Sequence, residues 1–186
     1  MKFAQLFILV LAFLVIKPAS AGLLIEPLVG FSKGETTVTS DGINKDKGDF
    51  TGMSYGGRLG YQQLGFQLGL DYLNSNNTIE DSDLESFTSS EWGGFVGFEF
   101  PVLLRVYAGY IFSATGEAED ASNNNVDFIE GTGTKFGIGF TGLPFVDINL
   151  EYRSVTFGDA KVNGTKLGFE QEYDAYMLSF SLPFVL

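Results

Sequence analysis

Over residues 176–186, apolar and aromatic side chains occupy every second position. Tyr176, Leu178, Phe180, Leu182, Phe184 and Leu186 share one side of an extended chain, with Met177, Ser179 and Ser181 on the other. Successive side chains of a β-strand point to opposite faces, so this alternation predicts a strand. Earlier stretches repeat it. At about 23–32, Leu23, Ile25, Val29 and Phe31 oppose Glu26, and at 53–62, Tyr55, Leu59 and Tyr61 oppose Ser54, Arg58 and Gln62. At 64–73, Leu64, Phe66, Leu68, Leu70 and Tyr72 oppose Gln67 and Asp71, and at 92–100, Trp92, Val96, Phe98 and Phe100 oppose Glu99. Three more follow: Leu104, Val106, Ala108, Tyr110 and Phe112 against Arg105 and Tyr107 (104–113), Phe136, Ile138 and Phe140 against Lys135 (134–141), and Val146, Ile148, Leu150 and Tyr152 against Asp147, Asn149, Glu151 and Arg153 (146–157). In each, one face carries no charge. Each is close to the ~10 residues a tilted strand needs to cross hydrocarbon.

The links between these segments alternate in length. Those at Gln63, 101–103 and 142–145 are short, whereas 33–52, 74–91, 114–133 and 158–175 are long and rich in Gly, Asn, Ser, Thr, Asp and Glu. Short turns on one rim and long loops on the other are the plan of a bacterial outer-membrane barrel, with the turns periplasmic and the loops extracellular. The pattern thus predicts an all-β, eight-stranded antiparallel transmembrane β-barrel in one domain, 22–186.

Under that arrangement the uncharged face meets lipid. Tyr55, Tyr72, Trp92, Tyr110 and Tyr152 fall near the outer rim, Tyr61 and Phe100 near the inner one, and aliphatic residues lie between. Amphipathic rings favour the water–lipid interface, so these residues are expected to form the aromatic girdles. The opposite face carries a candidate lumen charge network of Glu26, Arg58, Asp71, Glu99, Arg105, Lys135, Asp147, Glu151 and Arg153, interspersed with glycines. A lone buried charge is costly, so near balance is expected. Glu26 with Arg58, Glu99 with Arg105, and Glu151 or Arg153 with Lys135 are the expected cross-strand pairs. A soluble lipocalin-like barrel also has eight strands, but its apolar face points inward and its charges outward. Here the two faces are the other way round.

Residues 1–21 stand apart: Met1-Lys2, an apolar run from Phe3 to Ile16, and Ala19-Ser20-Ala21 have the form of a secretory signal peptide with its cleavage site. Losing Lys2 and Lys17 with it moves the formal charge from −12 to −14, most of it in the four long links. A chain this acidic repels phosphate backbones, so nucleic acid is not an expected partner. With no cysteine there is no disulfide framework, and closure of the barrel must hold the fold.

The chain also has no histidine, which excludes a His-dependent hydrolase, while the missing cysteine excludes a thiol nucleophile. A zinc ion would have carboxylates alone to bind. Pairs such as Glu117 with Glu119, or Asp81 with Asp83, fit solvated acids better than an acid–base couple, and 117–125 holds calcium-type ligands without EF-hand spacing. Neither a catalytic site, a metal site nor a cofactor is expected.

The terminal run Tyr176, Leu178, Phe180, Leu182, Phe184 and Leu186 resembles the signal by which the outer-membrane assembly machinery recognises its clients, although it ends in Leu where that pattern has Phe or Trp, and Pro183 interrupts it. With Glu26 and Gly30, the Gly56-Gly57-Arg58-Leu59-Gly60-Tyr61 run and Leu150-Glu151-Tyr152-Arg153, it makes residues 22–186 similar to small outer-membrane barrels of the OmpA transmembrane-domain and OmpX type. The resemblance implies a bacterial outer-membrane monomer, embedded in lipid bilayer and lipopolysaccharide and delivered by periplasmic chaperones and the assembly machinery. It implies a non-enzymatic structural, adhesive or surface-interaction role with a plugged polar lumen. The alternative is a narrow pore for ions or small hydrophobic molecules, as in OmpW-type barrels.

Overall fold

A computed structural model describes residues 21–40, 44–80, 84–120, 125–162, 165–166 and 170–186. The expected signal peptide, apart from Ala21, and the pair Asp81/Asp83 lie outside them. Seven long strands follow in order: β1 (Gly22–Ser40), β2 (Asn44–Gln63), β3 (Phe66–Glu80), β4 (Leu84–Phe100), β5 (Leu104–Asp120), β6 (Asn125–Phe140) and β7 (Asp147–Val162). The eighth wall is made of β8 (Thr165–Lys166), β9 (Glu170–Ser181) and β10 (Phe184–Val185). From β1 to β7 each strand pairs antiparallel with the next, β8 and β9 both pair with β7, and β9 and β10 return to β1, closing the barrel. Pairing partners followed from Leu28 through Gly56, Leu73, Glu91, Ala114, Gly131, Phe157 and Gln171 return to Val38, ten residues along β1. For eight strands with ~3.3 Å per residue and ~4.8 Å between strands, that stagger means a tilt of about 40°.

The short links behave as their residues require. Leu64 and Gly65 both have positive φ, at 50° and 86°. Such a two-residue turn matches the right-handed twist of its flanking strands, and glycine takes its second position without a β-carbon penalty. Leu64 therefore belongs to the turn rather than to the third strand. Pro183 separates β9 from β10 without opening the wall. The Leu182 and Leu186 N–H groups donate to Pro27 and Leu23 on β1, each at 3.0 Å. The N–H groups of the alternate positions point the other way, beyond Asp147–Ser181, the last pair with β7, so proline's missing donor removes no ladder bond there.

The four long links differ most from the sequence reading. Over the described residues they are mostly strand: β1 runs to Ser40 and β2 starts at Asn44, so this link is a long hairpin. From Phe31 to Ser40, nine residues at ~3.3 Å each and ~40° tilt rise about 20–25 Å. The sequence pattern hides this because apolar residues leave the outward face at that level. β5 also has an extra residue at Phe112, with Trp92 opposite Ser113 and Gly93 opposite Ile111, which reverses the parity of its inward positions from Ile111 to Ala114.

Candidate functional site: the lumen and its two tiers

Below the long hairpins, the outward face is a continuous apolar band. Leu59, Leu68, Val96, Val106, Ile138 and Leu150 stand exposed at its middle. Tyr55, Trp92 and Tyr110 ring it at the hairpin end, with Tyr61 and Phe100 at the turn end, all outward and exposed. Tyr72 and Tyr152 also face out, partly covered by neighbouring rings, Tyr72 against Trp92 at 4.9 Å and Tyr152 against Tyr176 at 5.1 Å. Tyr176, Leu178, Phe180, Leu182, Phe184 and Leu186 all stand on this outer surface. An apolar band of this kind is stable only against hydrocarbon.

Inside the band, eight of the nine expected charges are buried: Glu26, Arg58, Asp71, Arg105, Lys135, Asp147, Glu151 and Arg153. Glu99 is half-buried at the turn-end rim, where it accepts a hydrogen bond from Gln62 at 3.4 Å. Glu26 is the hub. It accepts from Arg58 Nη1 at 3.1 Å and from Arg105 Nη1 and Nη2 at 2.9 and 2.7 Å. Arg58 Nη2 continues to Glu151 at 3.0 Å, Arg153 joins Glu151 to Glu91, and Lys135 pairs with Asp71. Both Arg58 and Arg105 also lie over the Tyr107 ring, at 4.3 and 5.4 Å from its centroid.

Of the expected pairs, Glu26–Arg58 forms. Arg105 is the register partner of Glu99, yet its guanidinium reaches Glu26 and Asn149 instead. Lys135 meets Asp71 rather than Glu151 or Arg153. The reason is geometric. On a flat sheet adjacent strands supply the nearest partners. In a narrow barrel inward side chains converge on the axis, and long ones meet the far wall. Thus β1 joins β5, β2 joins β7, β4 joins β7 and β3 joins β6. Glu91 lies beyond the start of the expected fourth strand, but it keeps the inward parity of Gly93, Phe95 and Gly97. Extending that strand by one residue would have revealed it.

Above the outer aromatic ring the two faces exchange character. Phe50, Ile79, Phe87, Ile111, Phe128, Val155, Phe157 and Tyr173 fill the interior with small alanines between them. Phe50 stacks on Tyr173 at 4.6 Å, and Phe87 meets Phe128, Phe157 and Tyr173 at 5.8, 6.2 and 6.0 Å. These rings come from β2, β4, β6, β7 and β9, so the cluster crosses the lumen. Burial pushes the Tyr173 phenol above its ordinary pKa, and it enters the cluster neutral. Outside, the walls carry Lys33, Glu35, Asp49, Thr78, Thr88, Glu117, Asp127 and Glu172.

Glu117 is exposed on β5, while the Glu119 side chain lies outside the described residues. Among the described residues, no three acidic side chains are placed to hold a metal ion.

No family model and no curated protein matches this sequence. Solved structures do. The Neisserial surface protein A, NspA, aligns over 90% of this chain and 100% of its own, with TM-score 0.51 and 19% identity. Ail, the attachment invasion locus protein of Yersinia pestis, aligns over 88% and 99%, with TM-score 0.54 and 15% identity. OprG from Pseudomonas aeruginosa aligns over 92% and 100%, with TM-score 0.51 and 14% identity. At these identities the likeness is one of fold: a small eight-stranded outer-membrane β-barrel.

Proposed function

We propose that this chain is a non-enzymatic barrel of the bacterial outer membrane whose lumen is plugged and whose work is done on its outer surface. Residues 1–21 act as its signal peptide, and the outward-facing terminal run from Tyr176 to Leu186 is the segment the assembly machinery reads. Aromatic rings at both rims of the apolar band hold a monomer at the two water–lipid interfaces. The observation that carries the plugged lumen is the presence of two obstructions in series. Cross-lumen ion pairs fill the membrane level, and the ring cluster around Phe87 fills the level above. An eight-stranded barrel is only wide enough for side chains to fill, and here they meet across it at both levels. A role in adhesion or surface interaction follows from the tall projecting hairpins, the remaining large surface.

The test is single-channel recording on refolded protein, with a heat-modifiable gel shift as the control for folding. The expected result is a shifted band and no steady conductance, in wild type and also in Arg58→Ala, because the upper cluster remains. Steady ion-selective steps in the wild type that change on Arg58→Ala would overturn the plug and establish the narrow pore. A band that does not shift would sink the barrel itself.

A further inference from the structure

The outer wall of the projecting hairpins is not uniform. On β1 and β2 it bears Lys33, Glu35, Lys47 and Asp49, with Lys47 paired to Glu35. On β5, β6, β7 and β9 it bears Glu117, Asp127, Glu130, Lys161, Glu172 and Asp174. Between these regions, β3 and β4 present Asn74, Asn76, Thr78, Ser86, Thr88 and Ser90, with no charge among them. They are register partners: Asn74 opposite Ser90, Asn76 opposite Thr88, Thr78 opposite Ser86. Asn74 Nδ2 donates to Ser90 Oγ at 2.9 Å, and Thr88 Oγ1 donates to Asn76 Oδ1 at 3.2 Å. The result is a flat ladder of hydroxyls and carboxamides. Thr51 on β2 and Thr115 on β5 continue it beside Thr78 and Ser90, and the exposed Glu117 on β5, opposite Thr88, borders it. At its foot, at the edge of the apolar band, lies the Tyr72–Trp92 ring pair, with the Tyr72 hydroxyl 3.5 Å from Ser90 Oγ.

From this placement we infer that the β3–β4 face is a saccharide-contact surface, and that its occupant is the uncharged sugar portion of the glycolipid leaflet surrounding the barrel. This rests on the outer-membrane reading above. Three features favour that occupant. The ladder begins where the apolar band ends, which is the level at which a lipid-anchored saccharide begins. Hydroxyls and carboxamides both donate and accept, matching sugar hydroxyls, and the exposed Trp92 ring offers a face for sugar C–H groups. Finally, the six side chains of the ladder carry no charge, so an uncharged ligand covers them without the desolvation penalty that carboxylates would add, and Glu117 lies at the border of the contact.

The test is hydrogen exchange on the full chain, refolded into nanodiscs of three compositions. One holds lipopolysaccharide with its core oligosaccharide, one lipid A alone, and one phospholipid with the same oligosaccharide free in solution. The expected result is exchange slowed about threefold or more at amides 74–78 and 86–90 in the first bilayer relative to the second, with no matching change in β6 and β7 above the aromatic ring. Asn76→Asp with Thr88→Glu should abolish the difference while leaving exchange within the apolar band unchanged. Equal protection with lipid A alone would assign the effect to phosphates or acyl chains and overturn the inference. Protection by the free oligosaccharide would overturn the anchored source, and protection that rises with protein-to-lipid ratio would assign the face to a second copy. Uniform slowing of every hairpin, or none, would also overturn it. The shifted gel band shows separately that the barrel is folded, so a failure here leaves the plugged-barrel reading to its own recording.

Discussion

Strand β7 crosses two environments without breaking its alternation. Up to the aromatic ring it presents Ile148, Leu150 and Tyr152 outward and Asp147, Asn149, Glu151 and Arg153 inward; one turn of the pleat later it presents Ser154 and Thr156 outward and Val155 and Phe157 inward. β9 makes the same exchange, from Tyr176 and Leu178 outside with Ser179 inside to Asp174 and Glu172 outside with Tyr173 and Ala175 inside. The lower part is a membrane barrel, apolar out and ionic in. The upper part has the polarity of a soluble barrel, with a dry core and a wet wall. Alternation says which side chains share a face. The solvent on that face is a separate matter, and here it changes along a single strand.

If the two tiers are separate cooperative layers, damage to one should not spread into the other. Glu26→Ala leaves the buried Arg58 and Arg105 guanidiniums without their common partner, and breaking a buried pair this way costs ~3–5 kcal/mol. Phe157→Ala opens a cavity among Phe87, Phe128 and their neighbours, with a cost of ~3–5 kcal/mol. Among the described residues, the polar partners of Glu26 and the ring partners of Phe157 do not overlap. Urea unfolding in micelles should therefore give a double variant whose loss equals the summed single losses to within ~0.5 kcal/mol. A coupling above ~1 kcal/mol would mean that the tiers form one core.

The boundary between the tiers can be probed at Leu150 and Thr156, which share the outer face of β7. Leu150 lies in the apolar band, where arginine on the lipid side costs ~2–4 kcal/mol at mid-depth. Thr156 lies above the ring, on a wall already carrying charge, so Thr156→Arg should fall within about 0.5 kcal/mol of wild type. Folding into bilayers, followed by the same urea titration, measures both. Equal losses would place Thr156 in hydrocarbon and move the boundary upward.

This exchange of environment also explains what could and could not be read from the chain. The eight membrane-level segments were legible because one parity is apolar and free of charge, and such charges as occur fall on the other, as with Leu104, Val106 and Tyr110 against Arg105. The upper halves were not. There Thr, Ser, Asn and Glu occupy the outward parity, the inward one mixes Phe with Ala, Gly and Ser, and the bulge at Phe112 shifts the phase. Such stretches resemble polar loops until the strand below fixes their parity. Phe157 follows Arg153 by four positions and Phe87 precedes Glu91 by four, so both are inward by extension. The lumen charges were legible as residues but less so as pairs, since register names the neighbour on the sheet, whereas Arg105 and Lys135 reach across the barrel.

Two glycines separate the tiers once more. Gly137 sits on β6 directly under the Tyr107 ring, and a β-carbon there would overlap that ring. Tyr107 cannot easily yield, because Arg58 and Arg105 lie over it. Gly137→Ala is therefore an overpacking change, expected to cost ~1–3 kcal/mol. Gly158 stands exposed on β7 among the upper walls, and the nearest atom a β-carbon would meet is the Glu130 carbonyl oxygen at 3.8 Å. Gly158→Ala should change stability by less than about 0.5 kcal/mol. At Gly137, then, the space is already taken by another residue's ring, and pairing Gly137→Ala with Tyr107→Ala should recover part of the loss seen in Tyr107→Ala alone. If the double variant is no better than Tyr107→Ala, the glycine is needed for its backbone, and ring-on-glycine packing is not what sets the spacing of that wall.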